Sequence, residues 1–136
     1  ASNIRKAVSL PLMVTGGFRT RDGIERALQS NICQMVGVAR PLCADPYCIK
    51  KMMEGQLDVL PSFEKTLSLG PSILSPSSPF TLVQVINAFG AMAWFYQQIK
   101  HMSKGLMPNY KQKLFNALRV DMKADKLAIK DYLDSH

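Results

Sequence analysis

The chain has 136 residues, of which 47% are apolar and 20% charged, and its formal net charge is +7. This length accommodates one domain with a core, and the composition is ordinary for a globular protein. The positive excess lies mostly after Lys100 at spacings that suit solvated helix faces, and no nucleic-acid-binding motif accompanies it, so no nucleic-acid partner is expected. No targeting peptide is visible at the amino end, which predicts a cytoplasmic protein.

The cysteines give no sign of metal or thiol chemistry. Cys33, Cys43 and Cys48 form no CxxC pair, and the two histidines, His101 and His136, are far from them in sequence. An odd cysteine count suits a reducing compartment. Cys33 falls in an apolar run and is expected in the core. We therefore predict neither a catalytic cysteine nor a metal site.

The first 55 residues predict alternating strands and helices. In chain order these are the end of a helix at 4–9, a strand at 12–15, a helix at 21–29, a strand at 32–38 and a helix from 46 to about 54. The strands are continuous apolar runs, as in parallel strands covered on both faces. Thr20 and Asp45 are expected to cap the two later helices, and Gly55 to end the last one. This order predicts an α/β fold with right-handed crossovers.

Residues 56–80 change in character. Prolines and serines predict an irregular excursion over a surface. The apolar residues of this segment are expected to pack against the rest of the protein; they are Leu57, Val59, Leu60, Phe63 and Leu67.

Residues 81–136 predict a helical tail. The first helix spans 81–103 and is followed by Gly105 as a stop. Its apolar residues fall on one broad face that is expected to be buried: Leu82, Val85, Ile86, Phe89, Met92, Ala93, Tyr96 and Ile99. Its most apolar stretch, within 80–95, is interrupted by Gln84 and Asn87 and is shorter than the ~20 residues that a membrane span needs. A further helical region is expected from Pro108 or Asn109, with a break near Lys123.

Two turns carry the candidate chemistry. Gly16-Gly17 follows the first predicted strand, and Ala39-Arg40 follows the second. Glycine lets backbone N–H groups approach a phosphate closely, arginine offers a fork that bonds two oxygens, and helix N-termini add donors. In (β/α)8 barrels such clamps lie after the last two strands. Spacing alone slightly favours the alternative, a plain tight turn and a surface arginine.

The run PLMVTGGFRTRDGIERALQSNICQMVGVARPLCADPYCIKKMMEG resembles the carboxyl-terminal part of the old yellow enzyme family, the NADH:flavin oxidoreductases. The resemblance covers about residues 4–55, and the run WFYQQIKHMSKGLMPNY resembles the family's terminal helices less specifically. It implies a (β/α)8 TIM barrel that holds FMN. It also implies that Gly16, Gly17, Ala39 and Arg40 bind the FMN phosphate, followed by the family's Ala-Asp-Pro at residues 44–46.

The resemblance further implies a three-part chain. Residues 1–55 would be the last two β/α units of the barrel, the carboxyl-terminal quarter of the fold, followed by the excursion at 56–80 and the helical tail at 81–136. The intact enzyme would use NADH or NADPH to reduce a small electron-poor substrate through FMN. The family's substrate-binding, proton-donating and ring-contacting residues have no counterpart here, so no catalytic residue is predicted.

Taken alone, such a fragment is expected neither to reduce alkenes nor to bind FMN tightly. Its partners would be the missing part of the barrel or other copies of itself, not a membrane. Two alternatives remain open. One is a part of another phosphate-binding TIM-barrel enzyme, and the other is a non-catalytic interaction module that uses the sheet edge or the tail helix.

Overall fold

The computed structural model describes residues 2–135. His136, one of the two histidines considered above, therefore lies outside the described residues. The chain divides into two compact units, Ala1–Ser62 and Phe63–His136. This boundary falls inside the segment 56–80 that the sequence predicts as an irregular excursion.

The first unit alternates helices and strands as predicted. Its elements are α1 (Ser2–Ala7), β1 (Met13–Thr15), α2 (Arg21–Gln29), β2 (Met35–Gly37) and α3 (Cys48–Met53). The two strands pair in parallel, with Thr15 opposite Gly37 at the last position of each. The mixed helix-and-sheet class with parallel strands is thus confirmed. The second strand is shorter than predicted because the Gln34 side chain, rather than the backbone, accepts the N–H of Leu12 at 3.0 Å.

The α2 helix has the predicted bounds. Thr20 is its N-cap in extended conformation, and its hydroxyl accepts the Gly23 N–H at 3.1 Å. A cap of this kind satisfies a donor that the helix itself leaves unpaired.

The α3 helix begins two residues later than expected. The Asp45 carboxylate accepts the Tyr47 N–H at 3.0 Å and binds the Lys51 ammonium at 2.7 Å, which makes a local turn ahead of the helix. The predicted stop at Gly55 is confirmed, because its φ is +76° and the N–H of Gln56 donates to the Lys51 carbonyl at 2.9 Å. A residue in this left-handed conformation turns the chain so that N–H groups after the helix can bond the last carbonyls of the helix.

The core of the first unit forms between α3 and the segment that follows it. Cys48, Met52 and Leu60 are buried, and partly buried apolar side chains pack on them: Ile24, Val38, Leu42, Ile49 and Leu57. Leu60 donates its N–H to the Arg19 carbonyl at 2.6 Å, so residues 57–60 lie against the start of α2. Val59 is exposed, contrary to expectation, because successive residues of this extended segment point in opposite directions.

The second unit contains two long helices. After two 3₁₀ turns (Phe63–Lys65 and Ser72–Leu74) come α4 (Thr81–Ser103) and α5 (Leu114–Asp134). The bounds of α4 match the prediction, and Gly105 ends it with φ +71°. The α5 helix starts later than predicted because the Asn109 side chain accepts the Lys111 N–H at 3.2 Å and holds a turn there. It passes Lys123 without the expected break, since no glycine or proline interrupts it.

The covered face of α4 is not the one that the apolar pattern predicts. Its buried residues are Asn87, Gly90, Ala93, Trp94, Gln97 and Gln98. Six of the predicted core residues are instead 42–70% exposed; these are Leu82, Val85, Phe89, Met92, Tyr96 and Ile99. The prediction of a buried apolar face is therefore wrong for these six residues, although Ala93 is buried as expected.

Hydrogen bonds to distant loops explain which face of α4 is covered. Asn87 accepts the Leu69 N–H at 3.0 Å and donates to the Leu74 carbonyl at 3.0 Å. Gln98 accepts the Asn109 N–H at 2.7 Å. The polar side chains thus anchor loops that lie over them. Within residues 2–135, no helix has the combination of length and apolarity that crossing a membrane requires.

Candidate functional site

The two candidate turns leave the same edge of the sheet. Since Thr15 and Gly37 are paired at the ends of parallel strands, the chain segments that follow them start side by side. Together they line a cleft of about 200 Å³; its lining residues are Thr15, Gly16, Gly17, Phe18, Arg19, Gly37, Val38, Ala39 and Arg40. All four residues singled out in the sequence therefore meet at one place.

The glycine turn leaves open space at the cleft. Gly16 and Gly17 have φ values of +102° and +78°, and a Cβ added to either would meet no atom within 4 Å. Residues with a side chain rarely adopt these conformations, so the turn itself calls for glycine. Outside the pairing of the two strands, neither backbone N–H donates a hydrogen bond to another group among residues 2–135. The N–H of Gly17, which lies beyond the paired strands, is thus available to a ligand.

Arg40 stands at the start of the second turn. The Ala39 carbonyl accepts the N–H groups of Leu42 at 2.9 Å and Cys43 at 3.3 Å, which bends the chain directly after the strand. The Arg40 side chain is exposed, and no residue among 2–135 forms an ion pair or hydrogen bond with it. Its guanidinium donors are therefore free to bind an anion.

The charge of the cleft is positive. Arg19 and Arg40 both line it, and no acidic residue is among its lining residues. Arg19 also donates from Nη1 to the Phe18 carbonyl at 3.1 Å. The combination of backbone donors with two arginines suits a phosphate or another small anion.

The N-termini of α2 and α3 contribute fewer N–H donors to the cleft than the sequence analysis predicts. At the start of α2, the Arg21 N–H donates to the Asp58 carbonyl at 2.9 Å, and the Gly23 N–H is capped by Thr20. The α3 helix begins only at Cys48, well beyond Arg40. The turns themselves are therefore the main source of donors at the cleft.

Sequence reasoning missed five lining residues of the cleft, of which Arg19 and Gly37 bear on its charge and shape. Arg19 follows the glycine pair closely in sequence, and a positive charge beside the glycines could have indicated that it lines the anion site. Gly37 lies within an apolar strand, where a glycine often marks a close approach. A Cβ at Gly37 would collide with the Thr15 side chain, which shows that the two strands are close at this point.

The cysteines lie away from the cleft lining and are all free, with Cys33 buried as expected. Burial, aided by the nearby Asp45 carboxylate, raises the pKa of the Cys48 thiol above its usual 9.0. A thiol that keeps its proton is a poor nucleophile and a poor metal ligand. No group of three or more His, Cys, Asp or Glu side chains in the described chain is placed to hold a metal ion.

Three known proteins are similar to part of this chain. Over 48 residues the chain is 46% identical to NADH-dependent flavin oxidoreductase iliE of Hypocrea jecorina (strain QM6a), covering 35% of this chain and 12% of that protein. Over 45 residues it is 38% identical to NADH-dependent flavin oxidoreductase iccE of Talaromyces variabilis, covering 33% and 11%. Over 53 residues it is 36% identical to Bilirubin reductase of Mediterraneibacter gnavus (strain CC55_001C), covering 39% and 8%.

The similarity covers only part of this chain and a small part of each relative. The matched region spans only 8–12% of the length of these relatives. No family model matches the chain, and no solved structure matches it. The resemblance to NADH-dependent flavin oxidoreductases that the sequence indicates is thus confirmed over part of the chain.

Proposed function

We propose that this chain is part of an FMN-dependent NAD(P)H:flavin oxidoreductase and that its two turns bind the phosphate of FMN. The names of two relatives support a flavin and NADH as partners. One observation carries the site assignment: Gly16, Gly17, Ala39 and Arg40, from turns over twenty residues apart, line the same small cleft.

The chemistry of the cleft suits a phosphate monoester. Space is open where a side chain would stand at Gly16 and Gly17, and the unpaired guanidinium of Arg40 can bond two oxygens. A hydrogen bond that involves a charged group contributes about 1.5–3 kcal/mol. A few such bonds anchor one end of a cofactor without fixing the rest of it.

We further propose that β1, α2, β2 and α3 are the last two units of a (β/α)8 barrel. Parallel neighbouring strands whose following turns share one edge are the arrangement that such a barrel requires. The flavin supplies hydride-transfer chemistry in an enzyme of this kind, between NADH or NADPH and a small electron-poor acceptor. The residues of this chain would hold only the phosphate, and the flavin ring and the substrate would contact other parts of the barrel.

The test is a titration of the ¹⁵N-labelled chain, followed through its backbone amide signals. We expect FMN to shift the amides of Gly16, Gly17, Ala39 and Arg40, with weak affinity, and inorganic phosphate to shift the same signals less. Riboflavin, which has the ring but lacks the phosphate, should leave them unchanged. Equal shifts with riboflavin, or no shifts with FMN up to its solubility, would overturn the proposal.

A further inference from the structure

Thr15 is the last residue of β1, and it lines the cleft beside the glycine turn. Among the lining residues of the cleft, only Thr15 and the two arginines have polar side chains. A threonine hydroxyl can donate one hydrogen bond and accept others. Thr15 therefore offers the cleft a second kind of side-chain donor, one without a charge.

The Thr15 hydroxyl has no hydrogen-bond partner in the described part of the chain. Two other threonine hydroxyls are engaged locally: that of Thr20 accepts a backbone N–H at 3.1 Å, and that of Thr66 donates to a backbone carbonyl at 2.8 Å. Such local bonds are common for threonine. The Thr15 hydroxyl is not engaged in this way and is open to a ligand.

Thr15 belongs to the more exposed face of the sheet. Along β1, Met13 and Thr15 are exposed and Val14 is half-buried. Successive side chains of a strand point to opposite faces, so Thr15 and Met13 share one face. In a (β/α)8 barrel the helices cover the outer face of the strands, and ligands bind at the carboxyl ends of the strands. In the proposed barrel, Thr15 would thus face the interior at the end where a ligand binds.

Gly37 makes room for the Thr15 side chain. The two residues are paired at the ends of the parallel strands. A Cβ at Gly37 would lie 3.1 Å from Cγ2 of Thr15 and closer still to its Oγ1. A larger residue at position 37 would therefore force the Thr15 side chain to turn about χ1 to another rotamer, which moves the hydroxyl.

We propose that the Thr15 hydroxyl donates a hydrogen bond to the phosphate that the cleft binds, and that Gly37 is its positioning residue. This role rests on the proposed function, to which it adds a neutral donor beside the Gly17 N–H and the Arg40 guanidinium. A hydroxyl that donates to an anionic oxygen forms a short, strong bond. A phosphate monoester presents three acceptor oxygens, so the three groups can bond it at the same time.

A purely structural role for Thr15 leads to a different expectation. Threonine is β-branched, and residues of this type suit strands. Valine has nearly the same shape and would serve the strand as well, but it lacks the hydroxyl. Thr15→Val therefore separates the two roles. Thr15→Ser is the converse variant, since it keeps the hydroxyl and loses the methyl group.

The experiment titrates the ¹⁵N-labelled 136-residue chain with FMN, inorganic phosphate and riboflavin and follows the Arg40 amide signal. We expect Thr15→Val to weaken the binding of FMN and of inorganic phosphate by about three- to tenfold each, the effect of one net hydrogen bond. Thr15→Ser should keep most of the affinity. Thr81→Val is the matched control, because Thr81 is exposed at the start of α4 and is not a lining residue of the cleft.

A second variant tests the positioning role of Gly37. Gly37→Ala should weaken FMN binding by a similar factor, and in the Thr15→Val background it should cause no further loss, because the hydroxyl that it displaces is already absent. The amide spectrum verifies that each variant is folded. The Thr15 variants leave position 37 unchanged, so they decide the role of the hydroxyl even if Gly37→Ala fails to fold.

The outcomes separate the role of Thr15 from the phosphate site as a whole. A parent chain that binds FMN no better than riboflavin would overturn both. If the parent prefers FMN and Thr15→Val keeps its affinity for inorganic phosphate, only the role of Thr15 is overturned. A folded Gly37→Ala variant that binds FMN as the parent does would overturn the positioning role of Gly37.

Discussion

Thr15 and Gly37 face each other at the last pair of the two-stranded parallel sheet, so closely that a Cβ on Gly37 would collide with the Thr15 side chain. This contact sets where the two turns begin. Gly16-Gly17 leaves one strand end and Ala39-Arg40 leaves the other, and both line one cleft. The position of the candidate site thus depends on a close approach of two strand ends rather than on a large sheet.

Gly17→Ala should weaken FMN binding as well as stability. At φ +78° a side chain is strained, so we expect a loss of about 1–2 kcal/mol in the free energy of unfolding. The methyl group is also added at a residue that lines the cleft. Gly55→Ala is the matched control, because Gly55 has φ +76°, equally open surroundings and a position outside the cleft lining.

Chemical denaturation and FMN titration distinguish the two glycines. Both variants should lose similar stability, whereas only Gly17→Ala should reduce the FMN-induced shift of the Arg40 amide. If Gly55→Ala reduced that shift equally, the effect would come from lost stability, and the role of Gly17 in the cleft would be refuted.

Asn87→Ala should destabilise the second unit strongly. Asn87 is 2% exposed and pairs with the Leu69 N–H and with the Leu74 and Val83 carbonyls. Their loss should cost about 3 kcal/mol, since buried groups would be left without partners. Asn116→Ala, on the exposed side of α5, should change the free energy of unfolding by less than 0.5 kcal/mol or so. Similar values for both variants would contradict the anchoring role of Asn87.

Gly90 and Leu114 should be energetically coupled. A Cβ at Gly90 would overlap the Leu114 side chain, so Gly90→Ala should destabilise the α4–α5 contact by about 1–3 kcal/mol. Leu114→Ala removes a buried side chain at a cost of about 2–5 kcal/mol. The double variant should lose less free energy of unfolding than the two single variants lose together, because the smaller side chain at position 114 makes room for the added methyl group. Additive free energies of unfolding would show that the two residues are not in contact.

Cys48 should make stability depend on alkaline pH. Burial raises its folded pKa above 9.0, with a smaller contribution from Asp45, so the folded state keeps a proton that the unfolded state releases. The stability that this thiol contributes is complete below pH 9 and is lost as the pH rises through its folded pKa. The melting temperature should therefore fall less steeply between pH 8 and 10.5 for Cys48→Ala than for the parent chain. Parallel plots of melting temperature against pH for the variant and the parent chain would disprove this linkage.

The sequence predicts the local elements of this chain well. The bounds of α2 and α4 follow from apolar spacing and from stop and cap residues such as Thr20 and Gly105, whose effects act within a few residues. The four cleft residues also meet as predicted, because parallel neighbouring strands bring their following turns to one edge. Their role in binding FMN stays a prediction.

The orientation of α4 could not be predicted from its own residues. Apolar spacing shows which face is apolar, but burial depends on what the loops bring to the helix. Asn87 is buried because its partners include Leu69 and Leu74, and Gln98 because it pairs with Asn109. Such pairings join segments more than ten residues apart, and no local pattern encodes them.

The most direct measurement compares FMN with riboflavin on the parent chain and on Arg40→Ala. If the cleft binds the phosphate, the parent chain should prefer FMN, and Arg40→Ala should lose about 1–3 kcal/mol of that preference, the value of a charge-assisted hydrogen bond. Arg26→Ala removes the same charge from the exposed face of α2 and should keep the preference. An unchanged preference in Arg40→Ala, or an equal loss in Arg26→Ala, would contradict the assignment of this cleft to the FMN phosphate.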